Sequence, residues 1–225
     1  AAIEAGLFRP DTLIQTAPGR MTIGDRTIHD AHAEGALTVS QVIQKSSNVG
    51  AAKIALALPA EKLWNIFNQV GFGVLPRSGF PGEGAGKLRA YRSWRPIEQA
   101  TMSYGHGISV SLLQLAHAYL VFAGDGEIRP LSLLKRDAPP EATRVITAAT
   151  AAQVRRMLEL AVLPGGTAPR AQVAGYHVAG KTGTAHKLDG ANYAPDKYVA
   201  SFVGFAPALD PQLIVAVMID EPGAG

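Results

Sequence analysis

The sequence has no cysteine among its 225 residues, which excludes disulfide bonds, thiol catalysis and zinc sites built on cysteine. It has no apolar run of the roughly 18 residues that a membrane-spanning helix needs. It also has no run of Lys or Arg that would indicate a nucleic-acid surface. The hydrophobic fraction of 47%, the charged fraction of 17% and the net charge of +3 are typical of a globular protein. We therefore expect a folded domain that binds no nucleic acid.

Both ends of the chain indicate a segment of a longer protein. The opening "AAIEAGLFRPD" has neither Met nor a basic leader region, and it is typical of the end of a helix. The closing "DEPGAG" directly follows an apolar stretch that predicts a strand. We expect residues 1–225 to be a partial domain, cut upstream of residue 1 and downstream of residue 225.

Helical patterns dominate the first part of the chain, and strand patterns the last part. Helical spacing of apolar residues predicts a helix on each side of a break at residues 45–48, with Thr38 as the N-cap of the first. Further helices are predicted in "PAEKLWNIFNQ", "SVSLLQLAHAYLVFA" and "TAATAAQVRRMLELAV", and a long loop over 72–95. Three strands are predicted in "YHVAGKTGTAH", "YVASFVGFAPA" and "QLIVAVMID". This order favours an α+β fold, an antiparallel sheet flanked by a helical subdomain.

The stretch "GYHVAGKT", residues 175–182, has the spacing of a phosphate-binding P-loop. Asp220 and Glu221, at the end of an apolar strand, would suit the magnesium site of such a protein. However, a P-loop leads into a helix, and the following "GTAHKLDGANYAPDKY" has no apolar stripe at helical spacing. A P-loop NTPase is therefore the disfavoured alternative, and the acidic pair is predicted to be a strand end that faces water.

The same stretch contains Lys181-Thr182-Gly183, the Lys-Thr-Gly signature of serine enzymes that bind penicillin. On a strand, Lys181 and Gly183 would face one way, and Thr182 and Thr184 the other. One face would then offer two hydroxyls to a carboxylate. The glycine would let neighbouring groups approach the backbone closely, and an edge strand could pair with an extended peptide.

Ser46-Ser47-Asn48 is the companion of this signature, a Ser-Asp-Asn-type triplet placed at the predicted helix–helix break. Taken alone, the triplet is explained as well by Ser47 or Asn48 capping the second helix. A Ser-x-x-Lys match occurs at Ser132 and Lys135, in a segment predicted as a strand. Residues i and i+3 of a strand face opposite sides, so we interpret this match as chance.

Together these motifs resemble the transpeptidase domain of class B penicillin-binding proteins, and most of all the division-specific (septal) enzymes of Gram-negative bacteria. The similarity extends over almost the whole chain, through "LIQTAPGRMTIG", "KSSNVGAAKIAL", "FGFPGEGAG", "YGHGISVSLLQLAHAY", "GYHVAGKTGTAHK" and "FVGFAPALDPQLIVAVMIDEP". The resemblance implies the fold of penicillin-binding proteins and serine β-lactamases, without its N-terminal part. It also implies a D,D-transpeptidase that cross-links peptidoglycan stem peptides through a serine acyl-enzyme.

The resemblance assigns roles to individual residues. Ser46 would relay protons, Asn48 would hold the acyl-side amide of the substrate, and Lys181 would supply positive charge. The Thr184 backbone N–H would form half of an oxyanion hole. His186 stands where Lys or Arg is expected, which implies a weaker, pH-dependent contact to a substrate carboxylate. The implied substrate-binding residues are Thr182, Gly183, Thr184, Tyr104, His106 and His186.

The family's nucleophile is the serine of a Ser-x-x-Lys motif before the triplet, and residues 1–45 contain no such motif. We therefore expect the nucleophile to lie outside this chain, and the 225 residues alone to be inactive. No cofactor is implied, and His29 and His32 have no clear third metal ligand nearby, so a metal site is disfavoured.

The partners implied by the resemblance are stem peptides ending in D-Ala-D-Ala, β-lactam antibiotics and division proteins that include a glycosyltransferase. The implied location is the periplasmic side of the inner membrane, with a membrane anchor N-terminal to this chain. The alternative is a non-catalytic β-lactam sensor or division-complex scaffold with the same fold.

Overall fold

The computed structural model describes residues 1–189 and 192–223, and in this part most helices come before the main sheet. The helices are α1 (Val39–Lys45), α2 (Asn48–Leu56), α3 (Ala60–Gln69), α4 (Pro96–Met102), α5 (Leu112–Ala118), α6 (Leu120–Ala123) and α7 (Ala148–Val162). The strands are β1 (Leu13–Gln15), β2 (Arg20–Ile23), β3 (Arg26–His29), β4 (Ala36–Thr38), β5 (Glu127–Ile128), β6 (Thr143–Arg144), β7 (Ala179–Asp189), β8 (Asn192–Ala206) and β9 (Leu213–Asp220). Every described strand pair is antiparallel, so the α+β prediction is confirmed.

The predicted helix–break–helix forms α1 and α2, and the break is narrower than expected. Thr38 caps α1 as predicted: its hydroxyl accepts from the Gln41 N–H at 3.1 Å, and Gln41 Oε1 accepts from the Thr38 N–H at 2.8 Å. Helix α1 ends when Ser46 takes a left-handed conformation with φ 59°. Ser47 then caps α2. The break is therefore confined to residues 46–47.

Helix α7 packs against both α1, which precedes the Ser46–Asn48 motif, and β7, which contains the Lys181–Gly183 motif. Its predicted face is buried: Met157 packs in a cluster with Val42 of α1, and Leu158 packs in another with Ala179 of β7. Because one helix contacts both elements, the α1–α2 turn and the start of β7 are held at a fixed distance from each other. Among the described residues, no helix is long and apolar enough to cross a membrane.

The main sheet has the order β7–β8–β9. Lys181 lies opposite Val203, and Gly183 lies opposite Ser201. No described strand pairs with the other side of β7, so it is an edge strand of this part of the chain. The strand begins at Ala179, three residues later than the pattern predicted, because Gly175 (φ 81°) turns the preceding segment and Val173 pairs with Tyr176.

Two other predictions about secondary structure need correction. The single helix predicted over 109–124 is interrupted at Tyr119, whose N–H bonds to the Ala116 carbonyl three residues back. The Tyr119 ring packs against Phe205 of β8 at a centroid distance of 6.4 Å, so tertiary packing accompanies the tightened turn. The strand predicted around Ser132 and Lys135 is an exposed bend, in which Ser132 Oγ donates to the Leu134 carbonyl at 2.7 Å.

The Gly- and Pro-rich loop is ordered by one buried glutamine of α5. The Gln114 Nε2 lies within 3.0 Å of the carbonyls of Gly71, Val74 and Ala85, and its Oε1 accepts from the Ser111 N–H. Gln114 is only 1% exposed. Because a buried amide must satisfy its donors, these bonds fix the start and the middle of the loop against α5.

Candidate active site

The α1–α2 turn presents Ser46 to solvent and buries Ser47. A positive φ is uncommon for a residue other than glycine, and it costs about 1 kcal/mol or more. Ser46 adopts this strained conformation at the C-terminal end of α1, and it is exposed. Ser47 is 5% exposed, and its hydroxyl accepts from the Gly50 N–H at 2.9 Å. The two adjacent serines therefore have separate tasks: Ser47 builds the turn, and Ser46 is available for chemistry.

Asp30, which was not identified from the sequence, fixes this turn through two hydrogen bonds. One carboxylate oxygen accepts from Ser47 Oγ at 2.7 Å, and the other accepts from the Val49 N–H at 2.9 Å. The carboxylate also lies at the N-terminus of α2, where the helix dipole favours negative charge. Seventeen residues separate Asp30 from Ser47, so no local sequence pattern indicates the pairing.

Asn48 occupies the first position of α2, next to the end of β3. Its Nδ2 donates to the His29 carbonyl at 3.0 Å. This bond uses one of the two amide hydrogens, which leaves the other hydrogen and Oδ1 able to bind a ligand. Residues 29 and 30 thus fix the orientation of the whole Ser46–Asn48 turn.

Lys181 lies at the free edge of β7, and its side chain does not follow the simple alternation expected of a strand. Its Nζ is 3.2 Å from the Thr182 carbonyl and 3.3 Å from Thr182 Oγ1. The lysine is long enough to curl around the unpaired edge, so its ammonium group and the Thr182 hydroxyl meet on one side. Burial lowers the pKa of Lys181 to about 8.

The backbone of β7 also has polar groups available at this edge. In an antiparallel strand the N–H and C=O of one residue point to the same side, and neighbouring residues alternate. The Gly183 carbonyl accepts from Ser201 Oγ of β8, at 3.4 Å, so the Gly183 backbone faces β8. The N–H and C=O groups of Thr182 and Thr184 therefore point to the free edge. A Cβ on Gly183 would lie 2.7 Å from Ser201 Oγ, so a larger residue here would require the Ser201 hydroxyl to rotate away.

Thr167 lines a cavity beside the α1–α2 turn and contacts Lys181 and Thr182 of β7. It too was not identified from the sequence. Its Oγ1 is 3.3 Å from Lys181 Nζ and 2.9 Å from Thr182 Oγ1. The same residue borders a cavity of about 390 Å³. Within the described residues, Ser46 and Lys181 share no hydrogen bond, so they are related through this cavity and Thr167. The cavity is lined by Asp30, Ala31, His32, Glu34, Lys45, Ser46, Ser47, Gly165, Gly166 and Thr167.

Tyr104, His106 and His186 lie near one another. The Tyr104 ring packs against the cluster that contains Val49 of α2, and its centroid is 5.9 Å from that of His106. Burial lowers the pKa of His106, and the charge of His186 lowers it further, so the two histidines lie within electrostatic range. His186 Nδ1 donates to the Ala194 carbonyl at 3.1 Å. The "SYGHG" segment thus links α2 to β7. It forms the turn that follows α4.

The P-loop alternative is excluded by the same strand. Gly180, Lys181 and Thr182 lie in β7, which continues to Asp189, so no helix follows the lysine. Asp220 and Glu221, predicted to face water, both pair with Lys187, with Nζ 2.9 Å from an Asp220 oxygen and 2.8 Å from a Glu221 oxygen. These groups are partly exposed, so the ion pairs contribute little to stability.

Residues 1–225 match the family described as Penicillin binding protein transpeptidase domain. The match covers the whole chain. The chain belongs to this family.

Proteins with two different D,D-transpeptidase names are similar to this chain. "Probable peptidoglycan D,D-transpeptidase PenA" of Neisseria gonorrhoeae is 45% identical over 223 residues, which are 99% of this chain and 38% of PenA. "Peptidoglycan D,D-transpeptidase FtsI" of Escherichia coli K12 is 38% identical over 224 residues, 100% of this chain and 38% of FtsI. The domain therefore spans well under half the length of these curated relatives.

Solved structures agree with the fold of the transpeptidase domain. The apo transpeptidase domain of penicillin-binding protein 3 from Burkholderia pseudomallei matches with a TM-score of 0.95 and 49% identity, covering 98% of this chain and 67% of that one. A peptidoglycan glycosyltransferase from Burkholderia ambifaria, so titled, matches with a TM-score of 0.92 at 49% identity, over 98% and 68% of the two chains. The mixed helical and antiparallel-sheet architecture is thus that of penicillin-binding transpeptidase domains.

Proposed function

We propose that this chain is part of the catalytic domain of a serine-type peptidoglycan D,D-transpeptidase that penicillin inhibits. The observation that carries the proposal is the joining of two motifs across one cavity. The Ser46–Asn48 turn borders the cavity, and Thr167 connects its rim to Lys181 and Thr182. Similarity over 99–100% of the chain to proteins named D,D-transpeptidases supports the same conclusion.

The proposed reaction is acyl transfer through a serine supplied by a segment outside residues 1–225. The serine oxygen attacks the carbonyl of the penultimate D-alanine, and its proton passes to a nearby base. The peptide C–N bond breaks, and terminal D-alanine leaves with a proton on its nitrogen. The amine of a second stem peptide then attacks the ester, loses a proton and releases the serine. β-Lactams would acylate the same serine, because their amide resembles the peptide bond.

Ser46 and Lys181 would manage charge and protons in this reaction. Ser46 is exposed beside the cavity, so its hydroxyl can pass a proton to the leaving nitrogen. Lys181, with a pKa lowered to about 8 by burial, is mostly charged near neutral pH and would stabilise the substrate carboxylate. Asn48 would hold the acyl-side amide with the part of its amide group not bound to His29.

The free edge of β7 would bind the substrate backbone and its carboxylate. The Thr182 and Thr184 backbone groups point to this edge, so an extended peptide can add to it as a further strand. The Thr184 N–H is then available as one donor of an oxyanion hole. The Thr182 and Thr184 hydroxyls would bind the terminal carboxylate, while Tyr104, His106 and His186 would border the same cleft.

We further propose that the enzyme acts in septal wall synthesis on the periplasmic side of the inner membrane. A membrane anchor would lie N-terminal to this chain in the full-length protein, and the partners would be division proteins, among them a glycosyltransferase. The similarity to FtsI supports this assignment.

The test is D-alanine release by the full-length protein from a synthetic stem peptide ending in D-Ala-D-Ala. We expect release together with a cross-linked product, and loss of both after treatment with benzylpenicillin or in Lys181→Ala. Lys187→Ala, which removes a partly exposed lysine paired with Asp220 at the sheet end, is the matched control and should retain activity. Labelling by penicillin without D-alanine release would contradict the proposal and would favour a β-lactam sensor or scaffold.

A further inference from the structure

Thr167 lies where the cavity beside Ser46 meets the free edge of β7. Three oxygen atoms surround the Lys181 ammonium group: the carbonyl and the hydroxyl of Thr182, at 3.2 and 3.3 Å, and Thr167 Oγ1, at 3.3 Å. Thr167 supplies the one oxygen that does not come from β7 itself. Its hydroxyl is also 2.9 Å from that of Thr182, so it contacts both side chains of the Lys-Thr pair.

The geometry points to Thr167 as a positioning residue for transpeptidation, an inference that rests on the proposed function. Thr167 orients the Lys181 ammonium group and the Thr182 hydroxyl, which would in turn bind the substrate carboxylate. Thr182 Oγ1 donates to Thr167 Oγ1 at 2.9 Å and accepts from Lys181 Nζ at 3.3 Å, so Thr167 fixes the rotation of the Thr182 hydroxyl. Thr167 acts through these two residues and does not itself react.

The turn that carries Thr167 is built to hold a fixed position. The Gly166 N–H bonds to the Leu163 carbonyl and the Ala168 N–H to the Ala161 carbonyl, both at 2.9 Å. A Cβ on Gly166 would lie 2.3 Å from the Ala161 carbonyl oxygen, so only glycine allows the chain to fold back this closely on α7. The hydroxyl is therefore placed by a rigid element, as the orientation of a reacting group requires.

Thr167 also affects the charge of Lys181. Burial lowers the pKa of this lysine to about 8, so moderate changes in its surroundings alter its charge near the working pH. An oxygen that accepts from an ammonium group favours the charged form, so removing Thr167 Oγ1 should lower the Lys181 pKa further. The other charged or titratable groups around the cavity stay in place in such a variant; they are Asp30, His32, Glu34 and Lys45.

The experiment measures the rate of acylation of the full-length protein by a fluorescent penicillin between pH 6 and 9. The variants are Thr167→Val, which keeps the shape and removes the hydroxyl, and Thr167→Ser, which keeps the hydroxyl. We expect Thr167→Val to lower the rate roughly 10- to 100-fold, the effect of one hydrogen bond to a charged group. Its alkaline loss of activity should also begin at lower pH, while Thr167→Ser should stay close to wild type.

Thr167→Ala serves as a second variant if valine disturbs folding, and circular dichroism checks both. A folded Val or Ala variant with the wild-type rate and pH profile would overturn the inference. So would an equal loss in all three variants with an unshifted pH profile, because that would show a merely structural role. The Lys181 pKa, followed by ¹³C NMR of labelled lysines and assigned with Lys181→Arg, should fall in Thr167→Val. An unacylated wild type would refute the proposed function, and the NMR titration would still decide whether Thr167 controls the pKa of Lys181.

Discussion

Replacing Asp30 by alanine should loosen the α1–α2 turn, because this one carboxylate accepts two hydrogen bonds there. The partners are Ser47 Oγ at 2.7 Å and the Val49 N–H at 2.9 Å. Ser47 is 5% exposed and Val49 is 0% exposed, so the variant leaves both donors poorly solvated. Each unsatisfied buried group costs about 1–3 kcal/mol. Asp30 itself is only half-buried and admits some water, so we expect a total loss of about 2–4 kcal/mol.

Differential scanning calorimetry of the full-length protein checks this magnitude. A decrease of about 2–4 kcal/mol in the free energy of unfolding corresponds to a fall in Tm of roughly 5–15 °C for the unfolding of this domain. Acylation by a fluorescent penicillin should also slow about tenfold or more, because Ser46 and Asn48 move with the turn. Asp30→Asn keeps the shape and an acceptor oxygen, and it should lose less in both assays.

Asp25→Ala is the matched control, since the Asp25 side chain is 90% exposed and forms a long ion pair with its neighbour Arg26, at 3.8 Å. It should leave both Tm and acylation unchanged. If Asp30→Ala also left both unchanged, the account of how the turn is held would be wrong. A large fall in Tm with a normal acylation rate would show that Asp30 stabilises the fold without placing Ser46 and Asn48.

Three further predictions concern the rest of the site. Lys181→Ala should cut the acylation rate of the full-length protein by orders of magnitude. Wild-type acylation should fall as the pH rises through about 8, because the lysine then loses its charge. A rise in rate over that range would indicate that neutral Lys181 acts as a base. Gly166→Ala should destabilise the protein by about 1–3 kcal/mol in thermal unfolding, because its Cβ would clash with a backbone carbonyl, whereas Gly84→Ala, with open space around its Cβ, should not. Residues 1–225 expressed alone, and shown to be folded by circular dichroism, should form no covalent adduct with penicillin; an adduct seen by mass spectrometry would contradict the placement of the nucleophile outside the chain.

Local sequence patterns were sufficient for most of the secondary structure. The Thr38 N-cap, helix α7 and the apolar strands of the tail depend on residues close together in sequence, and each was predicted. The predicted strand at Ser132 was wrong. The segment "RPLSLLKRDAPPE" is flanked by prolines, which cannot donate to a strand ladder, and these outweigh its short apolar run.

The two motifs of the candidate site could be recognised from sequence, whereas the residues that hold them could not. Asp30 reaches Ser47 across seventeen positions, and Thr167 reaches Lys181 across fourteen. These contacts arise only when β3 and the end of α7 pack against the turn and the strand. The sole available hint was the Gly165-Gly166 pair after α7, which indicates a tight turn but not what the turn contacts.

The central claim is that the Ser46–Asn48 turn and the Lys181–Thr184 edge serve a nucleophilic serine that lies outside residues 1–225. The most direct measurement is peptide mapping by mass spectrometry of the full-length protein after reaction with benzylpenicillin. We predict a single adduct, on a serine that precedes residue 1 and is followed three residues later by lysine. An adduct on Ser46 or Ser132, or no adduct on any serine, would contradict the account.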